Sequence, residues 1–352
     1  MKNSQLEKLL EQDDIKVTKE LEKLKNSTKV LMVKPANTWT EEASKRPMPK
    51  ELFSSLWFEG EICILFADTN AGKSILAVQI ANAISKGEAV FDLGEKPPLK
   101  KVVYLDFELS DKQFQIRYSN QLGENYDFSS EFYRSEFDIQ SLDDNQKLED
   151  IVLADMEKII KLHEVKIIII DNITYLKAEM EKSKNALPLM KKLKALKEKY
   201  QLSILILAHT PKRDLSRPIT NNDVAGSKML INFCDSAFSI GRSSEDASMR
   251  YIKQIKVRNA EEKYGATNVA VCLIEKENCF LHFKFLGFDE ETNHLKDQNN
   301  IPDDDIEFQE QIKELTSKNP KISNREIARQ LKTNHQKVGR HIDKMKQSGT
   351  LV

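Results

Sequence analysis

Phosphate binding is the chemistry indicated most clearly by this sequence, in eight consecutive residues: Ala67, Asp68, Thr69, Asn70, Ala71, Gly72, Lys73 and Ser74. An apolar run precedes them and an amphipathic stretch follows, which predicts a strand, a tight loop and a helix. Backbone N–H groups in such a loop, with the helix N-terminus, attract anions. Lys73 adds charge for the outer phosphates of a nucleotide, and the Ser74 hydroxyl can hold Mg²⁺. Ala67 stands where the usual pattern has glycine, so we expect its φ to be negative.

Three other apolar runs each end in a polar residue suited to phosphate chemistry: Glu108, Asp171 and His209. Ligands of open α/β sheets bind outside the carboxyl ends of the strands, so we expect all three to face the loop. Asp171 is the predicted acidic partner of Mg²⁺, acting through water. Glu108 is the predicted general base for hydrolysis, with Asp106, two residues earlier on the same strand face, as the alternative. His209 is predicted to touch the γ-phosphate and to report its loss.

The elements that must position these residues alternate between strands and helices. Buried strands are predicted at 62–66, 101–107, 165–170 and 202–208, and helices at 111–122, 145–163 and 185–200. This alternation predicts an α/β fold with a mostly parallel sheet covered by helices on both faces. Later strands, predicted at 236–240, 251–257, 269–274 and 280–285, indicate antiparallel additions at one edge.

Composition excludes several classes of protein. The 352 residues carry a net charge of −1, which does not indicate a partner. The four cysteines show neither metal-site spacing nor a disulfide framework and are expected to be reduced: Cys63, Cys234, Cys272 and Cys279. No apolar run reaches the roughly 18 residues of a membrane span, and the N-terminus lacks the pattern of a signal peptide. We therefore expect a cytoplasmic protein without a membrane partner.

Four regions follow from shifts in composition along the chain: a helical arm and linker at 1–50, the α/β domain at 51–288, an acidic linker without core residues at 289–305, and a small helical domain at 306–352. The arm is either a solvated tail or a segment that docks on a neighbouring subunit.

The C-terminal region is strongly basic. From residue 321 onward it has eight lysines and arginines against two acidic residues. Ser323 is predicted to cap the first helix, and with the turn and second helix that follow, the pattern resembles the winged helix-turn-helix of many DNA-binding proteins. The apolar positions predicted to form its core are Ile322, Ile327, Leu331, Val338, Ile342 and Met345. Gln336, Lys337 and Arg340 would then contact duplex DNA; the alternative is a helical bundle that docks a protein.

Taken in order, the motifs of residues 50–288 resemble those of the RecA-like P-loop ATPases. The resemblance rests on the phosphate loop, the three strand ends, the run 225–227 and the Lys256-Val257-Arg258 segment. It is nearest to the hexameric plasmid replicative helicases of the RepA type, although the pore signatures of that branch are not found. It implies ATP and Mg²⁺ as cofactors and a homo-oligomeric ring with ATP at subunit interfaces. Lys256 and Arg258 resemble basic fingers that reach the γ-phosphate of a neighbour; the alternative is a surface pair balanced by Glu261 and Glu262.

Two loops lie where this resemblance puts contacts to single-stranded DNA. One is 177–185; the other is 211–226, which contains Lys212, Arg213 and Arg217. The alternative is an ordinary solvated loop. We therefore expect an ATP hydrolase that acts on DNA, as a helicase or DNA-remodelling motor of a mobile element. The alternatives are an ATP-switched DNA-binding regulator and a protein-remodelling ATPase.

Overall fold

A computed structural model describes residues 31–136, 138, 148–173, 187–224, 228–296, 303–319 and 322–331, with scattered positions between 333 and 350. The chain forms two compact units, Met1–Pro49 and Lys50–Val352. The described part of the first unit contains one helix, α1 (Ala36–Ser44), which has no buried residue. The helical arm predicted before it lies outside the described residues.

The second unit is built on a sheet of nine strands beside a small sheet of two. The small sheet pairs β1 (Glu51–Phe53) with β2 (Trp57–Phe58). The strands of the large sheet are β3 (Ile62–Ala67), β4 (Val102–Asp106), β5 (Phe132–Glu136), β6 (Ile167–Asp171), β7 (Ser203–His209), β8 (Ser236–Arg242), β9 (Met249–Lys256), β10 (Val269–Glu277) and β11 (Phe280–Asp289).

The order of strands across the large sheet is β11-β10-β9-β8-β3-β7-β6-β4-β5. The six strands from β8 to β5 run parallel, and β9, β10 and β11 are added antiparallel at one edge. Since β3 lies between β7 and β8 and is the fifth of the nine strands, the loop that follows it opens at the centre of the sheet. The carboxyl ends of β4, β6 and β7 meet at the same edge.

Helices cover both faces of the parallel strands. Those of the second unit are α2 (Lys73–Lys86), α3 (Asp111–Arg117), α4 (Leu148–His163), α5 (Leu187–Tyr200), α6 (Lys228–Phe233), α7 (Asp303–Lys318) and α8 (Asn324–Gln330). Short 3₁₀ turns lie at Val90–Asp92, Asn221–Asp223 and Glu291–His294.

Alternation along β3 divides the core into two layers. Ile62, Ile64 and Phe66 belong to a cluster that includes apolar side chains of α4, α5 and α6. Cys63 and Leu65 point the other way, into a cluster with α2 and the small sheet. With both faces buried, the parallel strands read as nearly continuous apolar runs. The predicted fold class, a mostly parallel α/β sheet with a helical C-terminal region, is confirmed.

The stretch after β11 differs from the prediction. Residues 289–305 were expected to lack core residues, but Glu291 and His294 are 0% and 2% exposed. Glu291 forms an ion pair with Lys253 and accepts a hydrogen bond of 2.7 Å from the Ile219 backbone N–H. The Lys296 N–H donates to the Leu215 carbonyl at 3.1 Å. A charged residue can be buried here because an opposite charge and backbone donors surround it, which residue types alone do not reveal.

The C-terminal region has its own small core. As predicted, Ile327, Val338, Ile342 and Met345 are buried together, with Ile322 and Leu331 packed against them. Ile312 and Ala328 complete this core. Ser323 caps α8, since its side chain accepts from the Glu326 N–H at 3.3 Å. Residues 335, 338, 339, 341, 342 and 345 are helical. No helix in the described part of the chain combines the length and apolar character needed to span a bilayer.

Candidate phosphate-binding site

The loop between β3 and α2 has the backbone of an anion site. Gly72 has φ +101° and Asn70 has φ +61°, whereas Ala67, the last residue of β3, is not among the positive-φ residues and is 1% exposed. A methyl group at position 67 is therefore accommodated as expected. The helix begins at Lys73, immediately after the left-handed glycine.

Gly72 is required for a reason that the sequence did not reveal. A Cβ on Gly72 would lie 2.8 Å from Ile274 Cδ1 and 2.8 Å from Phe283 Cζ, on the β10–β11 hairpin. The left-handed φ and this close packing both favour glycine. The β10–β11 hairpin at the antiparallel edge therefore packs against the start of α2.

The carbonyl groups of the loop are bonded to cations. Lys73 Nζ donates to the Ala67 and Asp68 carbonyls at 3.0 and 3.1 Å. Arg242 Nη2 donates to the Thr69 carbonyl at 2.8 Å, and Arg250 Nε donates to the Ala71 carbonyl at 3.2 Å. Sequence reasoning missed both arginines. They are cross-strand partners on β8 and β9, a relation visible only once the register is known.

Lys73 links the loop to the end of β7. Its side chain is buried, and Nζ lies 3.2 Å from His209 Nδ1. Burial lowers the pKa of Lys73, while the carboxylates of Asp171, Glu108 and Asp68 oppose this effect. Because an ammonium group can only donate, His209 Nδ1 is the acceptor of this hydrogen bond.

Glu108 lies next to the other ring nitrogen of His209. His209 Nε2 is 3.4 Å from Glu108 Oε1, and the Asn172 side-chain amide donates to the same oxygen. The hydrogen bond from His209 lowers the pKa of Glu108; the charges of Lys73 and Arg117 act in the same direction and burial opposes them. Glu108 is therefore ionised at neutral pH and, with 40% of its side chain exposed, open to water. Asn172 was missed, although its position directly after Asp171 was a usable signal.

Asp106, the alternative base, has other partners. Its side chain is 0% exposed and forms an ion pair of 3.0 Å with Arg134 Nε. It also accepts from the backbone N–H groups of Glu108 and Leu109 at 3.1 and 2.9 Å. These bonds of Asp106 stabilise the turn that carries Glu108. Because Asp106 is buried and already paired, the geometry favours Glu108 as the general base.

Asp171 and Ser74 form a candidate metal site. The Tyr104 hydroxyl donates to Asp171 Oδ2, while Oδ1 is buried without a hydrogen bond. Burial raises the pKa of Asp171 to about 6, and the Ser74 and Tyr104 hydroxyls act in the opposite direction. A carboxylate oxygen without a partner, beside a hydroxyl, fits a hard cation such as Mg²⁺.

A cavity of about 250 Å³ opens between these groups. It is lined by residues of the loop and the start of α2, together with Glu108, His209, Arg117 and Ile274. Arg117, the last residue of α3, was not predicted to contribute. The volume suits the phosphate groups of a nucleotide better than the whole molecule.

The predicted fingers lie at the opposite edge of the sheet. Lys256 is paired with Ala237, near the amino end of β8, and its Nζ donates to the Ile231 and Cys234 carbonyls at 2.5 and 2.7 Å. Arg258 follows β9 and pairs with Asp235 at 3.2 Å. The balancing carboxylate is thus Asp235 and not Glu261 or Glu262. Since β3 and β8 are parallel, this edge is far from the phosphate loop of the same chain, so any contact with ATP must involve another chain.

The residues predicted to contact DNA differ in exposure. Lys212 and Arg217 are exposed, and Arg217 pairs with Asp214 at 3.4 Å. The Arg213 side chain is only 6% exposed; its Nε lies 3.7 Å from Asp68 Oδ2, and its Nη1 donates to the Arg217 carbonyl. Arg213 therefore ties its loop to the phosphate loop in this structure. Gln336, Lys337 and Arg340 lie outside the described residues, as do the segments 177–185 and 225–227.

Comparison with known proteins agrees with this geometry. Residues 28–214 match the protein family described as AAA domain, and residues 309–352 match winged helix-turn-helix DNA-binding. No curated protein matches the chain. Among solved structures, a KaiC-like protein from the hyperthermophilic archaeon Pyrococcus horikoshii is 12% identical, covering 68% of this chain and 98% of its own, with a TM-score of 0.45. That likeness is too weak to carry an argument. The family match spans more than half of the chain and includes the phosphate loop, Glu108 and Asp171, and the chain therefore belongs to the AAA domain family of P-loop ATPases, with a winged helix-turn-helix region at its C-terminus.

Proposed function

We propose that this protein hydrolyses ATP to act on DNA, as a replicative helicase of the RepA type or a DNA-remodelling ATPase of a mobile element. The observation that carries the proposal is a continuous set of contacts at the cavity. Lys73 Nζ lies 3.2 Å from His209 Nδ1, and His209 Nε2 lies 3.4 Å from Glu108 Oε1. A phosphate-binding cation, a polar sensor and an ionised base are thereby joined in one network.

The chemistry follows from these positions. Glu108 takes a proton from a water molecule as the water oxygen bonds to the γ-phosphorus. The bond from that phosphorus to the bridging oxygen breaks, and its electron pair leaves with ADP. Lys73 offsets the negative charge on the outer phosphates, and His209 contacts the γ-phosphate and loses that contact on its release. Ser74 and Asp171 would hold Mg²⁺, which would screen the charge of the phosphates.

Action on DNA is supported by two features. The C-terminal region matches a DNA-binding family and is basic, so we assign it the duplex contacts, with Gln336, Lys337 and Arg340 as candidates. Lys212 and Arg217 are exposed on the loop after β7 and are candidates for a single strand. In a homo-oligomeric ring, Lys256 and Arg258 would face the ATP of the next subunit.

Turnover and strand displacement measured in parallel test the proposal, with Lys73→Ala as the inactive control. Turnover stimulated by single-stranded DNA together with displacement of a paired strand is the expected result. Stimulation without displacement would favour the DNA-bound regulator described next. Turnover that no DNA changes would favour a protein-remodelling ATPase.

A second candidate, an ATP-switched DNA-binding regulator, is favoured by one chain of contacts. Thr210, directly after His209, donates its hydroxyl to Asp68 of the phosphate loop. The loop that begins there is bonded at Ile219 to Glu291, in the segment that leads to the C-terminal region. A change at His209 would thus reach that segment. If the protein is such a switch, a Glu108→Gln variant, which hydrolyses ATP slowly, should bind duplex DNA with a different affinity when ATP is bound than when ADP is bound.

A further inference from the structure

Arg117 ends α3 and lines the cavity together with Lys73, Glu108 and His209. Its side chain is half-buried, and within the described residues it makes no hydrogen bond and no ion pair. Removing an arginine from water without a partner is unfavourable, so its surroundings favour an anion.

Both ends of α3 fix the position of Arg117. Ser110 and Gln113 form a reciprocal capping box at the start of the helix. Tyr118, directly after Arg117, is 2% exposed and packs against the rings of Phe114 and Phe128, with centroids 4.7 and 5.2 Å away. The guanidinium is therefore presented by an anchored backbone.

Other arginines near the cavity are already bonded. Arg134 pairs with Asp106 at 3.0 Å and donates to the Leu109 carbonyl. Arg242 and Arg250 donate to carbonyl groups of the phosphate loop. Of these four arginines, only Arg117 makes no hydrogen bond and no ion pair within the described residues.

We propose that Arg117 binds the γ-phosphate of the nucleotide held by its own chain. The inference rests on the proposed ATP hydrolysis and adds a second cation to Lys73. A guanidinium presents paired N–H donors that match two phosphate oxygens, whereas an ammonium acts as a point charge. Arg117 thus adds, from the same chain as the nucleotide, to the charge that Lys256 and Arg258 would supply from a neighbour.

The test compares Arg117→Met, which keeps the aliphatic stem, with Arg117→Lys, which keeps the charge. Lys112→Ala is the matched control, because it removes a cation from the same helix whose only hydrogen bond in the described chain is to Gln115. Arg117→Met should weaken ATP binding about tenfold or more while changing ADP binding much less. It should lower kcat about 10²-fold. Arg117→Lys should recover part of both effects, and Lys112→Ala should match the wild type.

A pH profile separates binding from a structural role. The charge of Arg117 helps to lower the pKa of Glu108, so the acid limb of the rate profile should move to higher pH in Arg117→Met and remain in place in Arg117→Lys. Unchanged ATP affinity and kcat, or equal losses of ATP and ADP binding, would overturn the proposal.

Mixing two variants shows whether Arg117 acts on the nucleotide of its own chain or on that of a neighbouring chain. Arg117→Met mixed with Lys73→Ala should regain no turnover, because no chain then holds both cations; regained activity would show that Arg117 serves a neighbour. A wild-type protein without ATP turnover would instead refute the proposed function itself.

Discussion

The two edges of the parallel sheet carry similar residues in opposite situations. At the carboxyl edge, Asp171 Oδ1 and Arg117 lack hydrogen-bond partners within the described chain, and Glu108 is open to water. At the amino edge, Asp235 accepts from the Ile62 N–H at 3.0 Å and pairs with Arg258, while Lys256 donates to two carbonyl groups. Charge alone therefore does not mark a site. What distinguishes the carboxyl edge is polar groups left available beside a cavity.

The largest expected effect is at the carboxyl edge. Lys73→Ala should abolish ATP binding, because it removes the buried cation that faces the outer phosphates. Glu108→Gln should keep binding but lower kcat about 10²–10⁴-fold, as expected for a lost general base. Nucleotide titration and steady-state turnover measure the two effects.

Asp106→Asn is the contrasting variant for Glu108. It should mainly lower the melting temperature, since it breaks a buried ion pair with Arg134. A normal rate in Glu108→Gln would show that the base lies elsewhere and would make Asp106 the next candidate.

Arg258→Ala asks whether the amino edge serves a second chain. If it does, the variant should bind ATP normally and hydrolyse it about 10³-fold more slowly, and mixing it with Lys73→Ala should restore part of the turnover. The matched control is Lys284→Ala, another exposed cation paired with a carboxylate, here Glu275 at 3.1 Å. Wild-type activity should also rise more than linearly with protein concentration. If the specific activity does not change with protein concentration and mixing restores no turnover, Arg258 acts only within its own chain, on Asp235 and the Asn232 carbonyl.

Deletion of residues 306–352 tests a region outside both edges. Duplex binding should weaken by at least tenfold while basal turnover stays within about twofold, because the C-terminal core is separate from those of the sheet. Arg340→Ala should lower affinity less and reduce the slope of affinity against salt by about one. Gel-shift titrations at several salt concentrations provide the measurement. Unchanged duplex binding would favour a protein-docking role.

The smallest effect concerns Asp171 and pH. Its folded pKa of about 6 lies above the ordinary 3.8, so the folded chain holds the proton more tightly than the unfolded chain. The stabilisation is complete below pH 3.8 and is lost as pH rises through 6, a difference on the order of 3 kcal/mol. Melting curves should show this loss in the wild type, Asp171→Asn should lack it, and Mg²⁺ should restore stability at neutral pH. If the melting temperatures of the wild type and Asp171→Asn depend on pH in the same way, the raised pKa of Asp171 is not the cause of the pH dependence.

The sequence was sufficient for features that follow from local pattern. The apolar runs before Glu108, Asp171 and His209 predicted neighbouring strand ends, and parallel pairing of β4, β6 and β7 brought those residues together. Ser323 was predicted as a helix cap because its type and position determine that role.

Features that depend on register or on tertiary partners were not predictable. Arg242 and Arg250 reach the phosphate loop only through the pairing of β8 with β9. The sequence predicts that Arg213 is a solvated loop cation, but its side chain is only 6% exposed and its Nε lies 3.7 Å from Asp68 Oδ2. Among the described arginines near the cavity, Arg117 is distinguished by lacking a hydrogen-bond partner, which no sequence pattern expresses.

The ion pair between Lys253 and Glu291 also sets a length. The backbone is held to the sheet at Glu291 and to the Leu215 carbonyl at Lys296, and α7 begins at Asp303. The chain between Lys296 and Asp303 can span at most about 25 Å, less than half of the distance that the chain from 289 to 305 could span. This limit keeps whatever the C-terminal region holds at millimolar effective concentration around the loop after β7. Capture of one DNA segment by that region therefore makes the next encounter intramolecular.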